Sequence, residues 1–321
     1  MRPTTFENFH GQKAVVDNLR IAVLAALKRG TQLGHVLLSG PAGVGKTTLG
    51  ASVIPEELGV GACSYNCTAI DTPQAMVTVL TQVPPRGILF LDEIHAMAPA
   101  AREHLLTALE DRYVSTTIGD RENESVIRVD LPSFTIIGAT TRPGRLDGPT
   151  RTRFTHSYTL DLYTSAELAQ ILHWHAEQQD LKLGPDAAVM LAQASRGIAR
   201  NAVNLLLTSS DTALVEHGDA VIGYDTAQAT LARLGFQHLV IPSSPKEEVY
   251  ATDMDMRYMR YLHRHGVAGL KTLEAVLNED ETTLETVIEP WLLQHELIVR
   301  TNSGRRLSCY GLHLMDKSGK A

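Results

Sequence analysis

The chain has 321 residues, enough for two or three domains, and its hydrophobic share of 44% is typical of a globular protein. Its 36 aspartates and glutamates outnumber its 29 lysines and arginines, so the formal net charge of -7 excludes an overall basic surface that would attract nucleic acid or anionic lipid. No apolar run approaches the roughly 20 residues that a membrane-spanning helix needs, and no hydrophobic signal segment begins the chain. We therefore expect a cytoplasmic protein with no membrane contact, in which any contact with DNA must be local.

The first half of the chain alternates short apolar runs with helical segments, the pattern of a parallel sheet covered by helices on both faces. The predicted strands are HVLLSG (35–40), GACSYNCTA (61–69), GILFLDEIH (87–95), SFTIIGATT (133–141) and HSYTLDL (156–162). Two further alternating segments surround a polar turn between residues 112 and 131, and they predict a β-hairpin inserted into this α/β core.

The second half predicts two smaller domains. Residues 163 to about 235 carry apolar residues at three- and four-residue spacing and predict a small domain of helices only. The Pro- and Ser-containing stretch 235–253 predicts a boundary or an extended tether. Three short helices and two strands around the turn TNSG follow in winged-helix order. We predict domains at 1–161, 162–236 and 237–321.

The run GPAGVGKTT lies between the first strand and a helix, which is the context that a phosphate-binding loop requires. Its members are Gly40, Gly43, Gly45, Lys46, Thr47 and Thr48. Glycines let the backbone N–H groups wrap a polyphosphate, Lys46 reaches the outer phosphates, and the Thr47 hydroxyl is a ligand for Mg²⁺. The alternative is a glycine-rich turn without a ligand.

Two adjacent carboxylates end the third predicted strand. Asp92 is predicted to hold the hydration shell of Mg²⁺, and Glu93 to accept a proton from an attacking water, which favours ATP hydrolysis. Alternatively, Glu93 is a solvated turn residue of a nucleotide-sensing switch. Thr141, at the end of the fourth strand, is placed to orient the water or touch the γ-phosphate, although threonine is also common in sheets.

The charges of the last domain indicate how it contacts DNA. Its third helix carries Glu281, Glu285 and Glu289, which would repel phosphates and disfavour insertion into a groove. The hairpin that follows gathers Arg300, Arg305 and Arg306 near its turn, a cationic tip suited to a DNA backbone. A charged hairpin that is merely solvated fits the same residues.

The elements in this order resemble the AAA+ ATPases, and within them the RuvB family of Holliday-junction branch-migration motors. The runs that carry the resemblance are RPTTFENFHGQ, GHVLLSGPAGVGKTTL, LFLDEIHAM, VDLPSFTIIGATTRPGRL, SRGIAR and EPWLLQHELIVRTNSGRRLS. They extend from residue 2 to about residue 311. The phosphate-loop and acidic-strand motifs are shared by many ATPases, whereas DLPSFTIIGATTR and EPWLLQ are more specific to this family.

The resemblance implies an ATP- and Mg²⁺-dependent DNA translocase in recombination and repair. It would form a ring of identical subunits, hexameric as in the family, on double-stranded DNA at four-way junctions, with a RuvA-like junction-binding partner. Two alternatives remain at this point: a clamp-loader-like member of the same superfamily, and a nucleotide-gated DNA-binding adaptor that does not turn over ATP.

The resemblance also assigns nucleotide-binding residues. The N-terminal run of the family seats the adenine, and the matching positions are Arg2, Pro3, Gly11 and Gln12, with His10 between them. The family's sensor arginine lies in a G-T-P-R run, and Arg200 matches it in GIAR without the helix-starting proline.

The run GPTRTRF resembles the P-L-R-x-R-F run whose first arginine reaches the γ-phosphate on a neighbouring subunit. This assigns Arg151 as a catalytic arginine that acts across a subunit interface. Arg153 would brace the interface or pair locally with a carboxylate. Thr150 and Thr155 depart from the leucine and glycine that are usual in the family.

In the family, the inserted hairpin carries apolar residues that dock RuvA. The candidates here are Val114, Ile118, Val126 and Ile127. Their alternation also fits a hairpin that packs on its own domain.

Overall fold

The computed structural model describes residues 2–118, 125–218, 220–241 and 247–318. The chain folds into two compact units, the first formed by Met1–Gln178 with Gly197–Arg200 and the second by Gln179–Arg196 with Asn201–Ala321. The predicted boundaries at residues 161 and 236 stay a prediction. No helix within the described ranges is long and apolar enough to cross a membrane.

The first unit contains seven strands and seven helices among its described residues. The strands are β1 (Val36–Ser39), β2 (Ala62–Asn66), β3 (Ile88–Asp92), β4 (Tyr113–Ile118), β5 (Ser125–Asp130), β6 (Thr135–Thr140) and β7 (His156–Thr159). The helices are α1 (Lys13–Arg29), α2 (Lys46–Thr48), α3 (Ile54–Leu58), α4 (Pro73–Thr81), α5 (Pro99–Asp111), α6 (Gly148–Thr152) and α7 (Ser165–Glu177).

Five of these strands form one parallel sheet in the order β2-β3-β6-β1-β7, which confirms the predicted α/β core. All residues of β1 and β6 are buried, as expected of central strands in a parallel sheet that helices cover on both faces. β1 and β6 are neighbours, so the loop after β1 and the end of β6 lie at the same edge of the sheet. The sheet thereby places the motif that follows β1 close to the motif that ends β6.

The predicted inserted hairpin is formed by β4 and β5, which pair antiparallel from Tyr113 with Asp130 to Ile118 with Ser125. Val114 is fully buried in the hydrophobic core of the first unit, and Val129, opposite to it, packs against that core. The base of the hairpin therefore packs on its own unit.

The second unit contains the remaining strands, β8 (Lys182–Leu183), β9 (Val221–Ile222), β10 (Gln237–Ile241), β11 (Glu247–Ala251), β12 (Val267–Ala268), β13 (Ile298–Thr301) and β14 (Gly304–Leu307). Its helices are α8 (Pro185–Ala194), α9 (Ala199–His217, whose first two residues belong to the first unit), α10 (Tyr224–Arg233), α11 (Asp253–His265), α12 (Leu270–Leu277), α13 (Glu281–Thr283), α14 (Glu289–Gln294) and α15 (Cys309–Ser318).

Two features of this unit correct the sequence prediction. The stretch predicted as a tether forms an antiparallel pair, β10 with β11, in which Leu239, Ile241 and Val249 are buried. The alternating apolar residues outweigh the prolines and serines, because those lie mainly between the two strands. The region predicted as helices only also contains a short parallel pair, β8 with β9.

The winged-helix order is confirmed by α11, α12, the third helical segment and a three-stranded sheet in the order β12-β14-β13. The third segment is interrupted by a π-helical turn, Leu284–Ile288, just before Pro290. Leu49–Val53 forms the same kind of turn just before Pro55. Proline has no N–H for the helical ladder and its ring crowds the preceding turn, which explains the local widening in both places.

Candidate functional site

The loop after β1 has backbone geometry that only glycine adopts without strain. Gly40 and Gly45 have φ of +138° and +101°. A Cβ atom on Gly40 would lie 2.2 Å from the carbonyl oxygen of Leu160, and one on Gly45 would lie 2.8 Å from the Phe9 ring. The glycines thus keep the loop close to the surrounding chain and leave its backbone open to a ligand.

Lys46 begins the helix after this loop and lies at its mouth. Its side chain is 5% exposed, and Nζ donates to the carbonyl oxygens of Gly40 at 2.8 Å and Pro41 at 2.7 Å. Burial holds the pKa of Lys46 below its ordinary value, against the opposing influence of the carboxylates of Glu93 and Asp92. These carbonyl oxygens hold the Lys46 ammonium group against the loop, where a charged donor can bind an anion.

Thr47 and Asp92 provide two hard oxygen ligands for a divalent cation. The Thr47 hydroxyl donates to Asp92 Oδ2 across 3.4 Å, although the residues are 45 positions apart. Among the described residues, no cluster of three or more His, Cys, Asp or Glu could hold a metal. A site with one carboxylate and one hydroxyl fits Mg²⁺, which takes its other ligands from water and substrate phosphates.

Glu93 follows β3 in a left-handed conformation, with φ of +49°. Its Oε2 accepts hydrogen bonds from the backbone N–H of Thr141 at 3.1 Å and from the Thr141 hydroxyl at 2.9 Å. His95 Nδ1 lies 3.1 Å from the same oxygen. The structure thus brings two of the predicted site residues, Glu93 and Thr141, into contact, and it adds His95, which sequence reasoning missed although it belongs to the same DEIH run.

Arg200 lies beside the phosphate loop even though the proline of the family pattern is absent. Its backbone N–H donates to the carbonyl oxygen of Gly43 at 3.3 Å, and helix α9 begins one residue earlier. The cationic charge of Arg200 contributes to the lowered pKa of Lys46. The helix start and the loop therefore hold Arg200 near Lys46 without the proline.

A cavity within the first unit opens beside the loop. It is lined by Pro3, Asn8, Phe9, His10, Gly45, Thr48, Tyr163, Ile171, Trp174, His175 and Ala199. Pro3, Gly45 and Thr48 were predicted nucleotide ligands, whereas Trp174 and His175 were not among the predicted site residues. Their signal was the spacing of Ile171 and His175, four residues apart on one face of α7.

Two of the other predicted adenine residues, Gly11 and Gln12, brace this cavity without lining it. Gln12 Nε2 donates to the Asp161 carbonyl at 2.6 Å, and its Oε1 accepts from the Asp161 N–H at 3.1 Å. Gly11 has φ of +79°, and a Cβ there would lie 2.6 Å from the Tyr163 ring. Arg2 is exposed. Gln12 and Gly11 thus hold the N-terminal segment against the chain that follows β7.

The two arginines of GPTRTRF have different partners. Asp147 caps α6 by accepting from the Thr150 N–H at 2.8 Å, and Arg102 pairs with the same carboxylate at 2.9 Å. Hydrogen bonds from Thr150 and the guanidinium of Arg102 lower the pKa of Asp147 to about 2. Arg153 pairs with Glu110, which is the local pairing considered as an alternative. Arg151 forms no ion pair within the described part of the chain.

The wing of the second unit corrects the prediction for its charged residues. Glu289 is 0% exposed and does not face solvent. It accepts from the Arg305 Nε at 2.9 Å, the Arg300 Nε at 2.8 Å and the Tyr258 hydroxyl at 2.8 Å. Arg305 is 15% exposed and is committed to this buried cluster. Arg306 is exposed and lacks an ion pair in the ranges that the structure describes.

The four apolar candidates of the inserted hairpin also differ, in how far their side chains are exposed and in which face of the hairpin they occupy. Val114 is 0% exposed, so a docking role for it is wrong, because its side chain is enclosed by its own unit. Val126 is 75% and Ile127 38% exposed. The register places Ile127 on the face of Val114 and Val126 on the opposite face. The Ile118 side chain lies outside the described residues.

A phosphate loop after the first strand of a parallel sheet, with Asp92 and Glu93 at the end of β3, which is separated from β1 by β6, defines the class of P-loop ATPases. Two family models narrow the class. Residues 1–160 match the model of the Holliday junction DNA helicase RuvB P-loop domain, and residues 251–316 match the model of the RuvB C-terminal winged helix domain. The chain belongs to the RuvB family, the ATP-driven motors of Holliday-junction branch migration.

Individual relatives agree with these models. The Holliday junction branch migration complex subunit RuvB of Paramagnetospirillum magneticum is 39% identical over 97% of this chain and 87% of its own length. That of Granulibacter bethesdensis is 40% identical over 96% of this chain and 83% of its own length. The structure of Thermotoga maritima RuvB, described as a Holliday junction branch migration motor, matches with a TM-score of 0.79 and 33% identity over 98% of both chains. These relatives give no support to a clamp loader or a non-hydrolysing adaptor.

Proposed function

We propose that this chain hydrolyses ATP with Mg²⁺ as a ring of identical subunits, six by analogy with the family, that drives branch migration on duplex DNA at four-way junctions. A RuvA-like junction-binding protein is its proposed partner, and the cytoplasm, where chromosomal DNA and ATP meet, its proposed location. The observation that carries the proposal is the convergence of Lys46, Thr47, Asp92, Glu93 and Thr141 at one edge of the parallel sheet.

In this proposal the residues at the sheet edge divide the work of hydrolysis. Lys46 and the loop N–H groups bind the β- and γ-phosphates, and Thr47 and Asp92 would hold Mg²⁺. Bound Mg²⁺ would neutralise charge that develops on the phosphate oxygens. Glu93 accepts the proton of the attacking water, which makes that water a stronger nucleophile.

Three further groups complete the proposed nucleotide site. Thr141 donates its hydroxyl to the γ-phosphate, and Arg200 adds a cation from the same subunit. Arg151 supplies a cation to the γ-phosphate of a neighbouring subunit, which makes hydrolysis depend on assembly. The cavity lined by Pro3, Tyr163 and Trp174 takes the adenine, whose flat apolar faces suit aromatic walls.

The DNA contact in this proposal is made by the wing. Arg306 is exposed and has no ion pair with any residue that the structure describes, and Arg300, with 47% of its side chain exposed, adds to the positive potential. Contact with phosphates alone carries no base specificity, which suits a motor that travels along any sequence. One or two cations per subunit give weak binding that salt disrupts, and several subunits on one duplex multiply it.

Electron microscopy of the chain with ATP and a four-way junction tests the proposal. We expect a ring around each of two opposite arms when the RuvA-like partner is present. Phosphate release should rise on addition of DNA and partner, and Glu93→Gln should abolish it while leaving nucleotide binding in place. Monomers under all conditions, or an unchanged rate with Glu93→Gln, would count against the motor.

A further inference from the structure

We propose that His95 is a positioning residue for Glu93. It holds the Glu93 carboxylate in place when the Thr141 hydroxyl gives up its hydrogen bond to Glu93 and donates to the γ-phosphate instead. The inference rests on the proposed function, because it concerns the same hydrolytic site. It adds a residue between the acidic strand and the end of β6 that has no role in the site described so far.

The contacts of His95 link these two elements. The side chain is 10% exposed and lies in the short helical turn Ile94–Ala96, directly after Glu93. Its Nδ1 lies 3.1 Å from Glu93 Oε2 and 3.0 Å from Thr140 Oγ1, and Thr140 is fully buried. The imidazole therefore joins Glu93 to the residue just before Thr141.

Nδ1 is hydrogen-bonded to Thr140 Oγ1 and lies within ion-pair distance of Glu93 Oε2. Because a carboxylate can only accept, the proposed contact with Glu93 requires the hydrogen on Nδ1. Thr140 Oγ1 also accepts from the Arg142 N–H, at 3.1 Å. Burial lowers the pKa of His95, Glu93 opposes this, and the charges of Arg142 and Arg145 add to it. His95 is therefore neutral at pH 7, and we place its single ring hydrogen on Nδ1.

Three polar groups converge on one oxygen of Glu93. Oε2 accepts from the N–H and the hydroxyl of Thr141 and lies 3.1 Å from Nδ1 of His95, whereas Oε1 receives no hydrogen bond from the described residues. Oε1 is thus the oxygen left to accept a proton. The Thr141 hydroxyl has one hydrogen, so donating it to a phosphate removes one of the three contacts, and His95 is then the side chain, among the described residues, that still contacts Oε2.

The backbone of Glu93 makes this support necessary. A glutamate at φ of +49° is in a conformation that L-residues rarely adopt. Such a conformation persists only where surrounding contacts determine it. With the Thr141 hydroxyl withdrawn, loss of His95 would leave the Thr141 N–H as the single contact that orients the carboxylate.

Three substitutions of His95 test the inference through the steady-state kcat and KM of ATP hydrolysis. We expect His95→Leu to lower kcat by about tenfold to a hundredfold, with KM for ATP within about twofold, because orientation of the base is lost and nucleotide binding is not. His95→Asn should recover most of the rate, since its Nδ2 occupies nearly the position of Nδ1. His95→Gln carries its amide one bond further out and should recover less.

Thr140→Val is the matched control, because it removes the second partner of Nδ1 and leaves Glu93 in reach. It should stay within about threefold of the wild-type kcat. A wild-type rate for His95→Leu, equally slow Leu and Asn variants, or a Thr140→Val as slow as His95→Leu would each overturn the inference. If Glu93→Gln itself retains hydrolysis, the proposed role of Glu93 fails first, and that result is separate from the others.

Discussion

The guanidinium of Arg151 donates two hydrogen bonds to the carbonyl oxygen of Leu146, from Nε at 3.1 Å and from Nη2 at 2.8 Å. Its neighbour Arg153 is paired with Glu110, so the two cations of GPTRTRF differ in how their charge is compensated. A carbonyl oxygen orients a guanidinium without neutralising it. Arg151 therefore keeps its full charge and further N–H donors for a phosphate, in agreement with its proposed role across a subunit interface.

We predict that Arg151→Ala binds ATP and assembles but loses hydrolysis by about 10³- to 10⁵-fold, because the cation acts only in the transition state. Phosphate release and nucleotide affinity, measured on the same preparation, check this. Arg153→Ala is the matched control and should be affected far less, since its charge is already paired with Glu110.

Mixing distinguishes action across the interface from action within a subunit. Arg151→Ala subunits retain Glu93, and Glu93→Gln subunits retain Arg151, so some interfaces of a mixed ring are complete. We expect such mixtures to recover part of the turnover. A mixture that assembles and stays inactive would contradict the interface role.

Asp147 should control the placement of Arg151 through the cap of α6. Asp147→Ala removes the hydrogen bond to the Thr150 N–H, at about 0.5 to 2 kcal/mol for a helix cap, and also the pairing with Arg102. We expect lower kcat with unchanged ATP affinity, whereas Asp147→Asn, which retains the cap, keeps more of the rate. With its pKa near 2, Asp147 is ionised at every working pH, so its effect should not vary between pH 6 and pH 8.

Glu289 should be essential to the stability of the winged-helix domain. Burial acts to raise its pKa, but hydrogen bonds from Arg305, Tyr258 and Arg300 outweigh it, and the pKa of Glu289 lies below its ordinary value. Its stabilisation is therefore present at pH above about 4.5 and is lost as the pH falls through the lowered pKa. Glu289→Gln leaves Arg300 without its carboxylate and Arg305 with Glu285 alone, and it should cost up to about 3 kcal/mol of unfolding free energy at pH 7.

Denaturant unfolding at pH 7 and at pH 3 measures this difference. The wild-type chain should lose more stability than Glu289→Gln on acidification, because only the wild type has this carboxylate to protonate. Equal losses in both chains would contradict the assignment of Glu289 as the acid-sensitive group.

Arg306 should carry most of the contact that the wing makes with DNA. Arg306→Ala should leave stability unchanged, weaken duplex binding and reduce the slope of log affinity against log salt by roughly one per engaged subunit. Arg260→Ala, which removes an exposed arginine from α11 of the same domain, is the matched control. If both variants lose affinity equally, the contact is not specific to the wing.

The two faces of the inserted hairpin can be tested separately for partner docking. Val126→Ser and Ile127→Ser alter opposite faces, whereas Val114→Ala opens a cavity in the core and should lower stability by about 1 to 3 kcal/mol. Co-elution with a RuvA-like protein should be lost in one of the two serine variants, which identifies the docking face. If both serine variants are folded and still co-elute with the RuvA-like protein, docking through the described part of the hairpin is contradicted.

The main residues of the nucleotide site could be predicted because their signals are local in the chain. Lys46 and Thr47 follow a glycine pattern, and Asp92 and Glu93 follow an unbroken apolar run. Each motif therefore lies within a few residues of the strand that positions it, and both can be recognised from a short stretch of sequence. Parallel strands then bring their carboxyl ends to one edge, which follows from topology alone. The contacts of Glu93 with Thr141 agree with that expectation.

The hairpin of β10 and β11 and the π-helical turn before Pro290 were not predicted. In the first, alternation over five residues competes with prolines and serines, and the pairing of the strands decides the outcome. In the second, a helical periodicity persists while the hydrogen-bond pattern changes, because proline alters the ladder without altering which residues are apolar.

The sequence alone determined which residue types stand where: a phosphate loop, an acidic pair, a sensor threonine, two arginines after β6 and a cationic wing. Tertiary structure decided which of those charges are free. Arg305 and Arg306 are adjacent in the chain, yet one is committed to a buried Glu289 and the other faces solvent, because neighbouring strand residues point to opposite faces of a sheet. Ion pairs join residues that are distant in sequence, so only the folded chain distinguishes a structural arginine from one available to a phosphate.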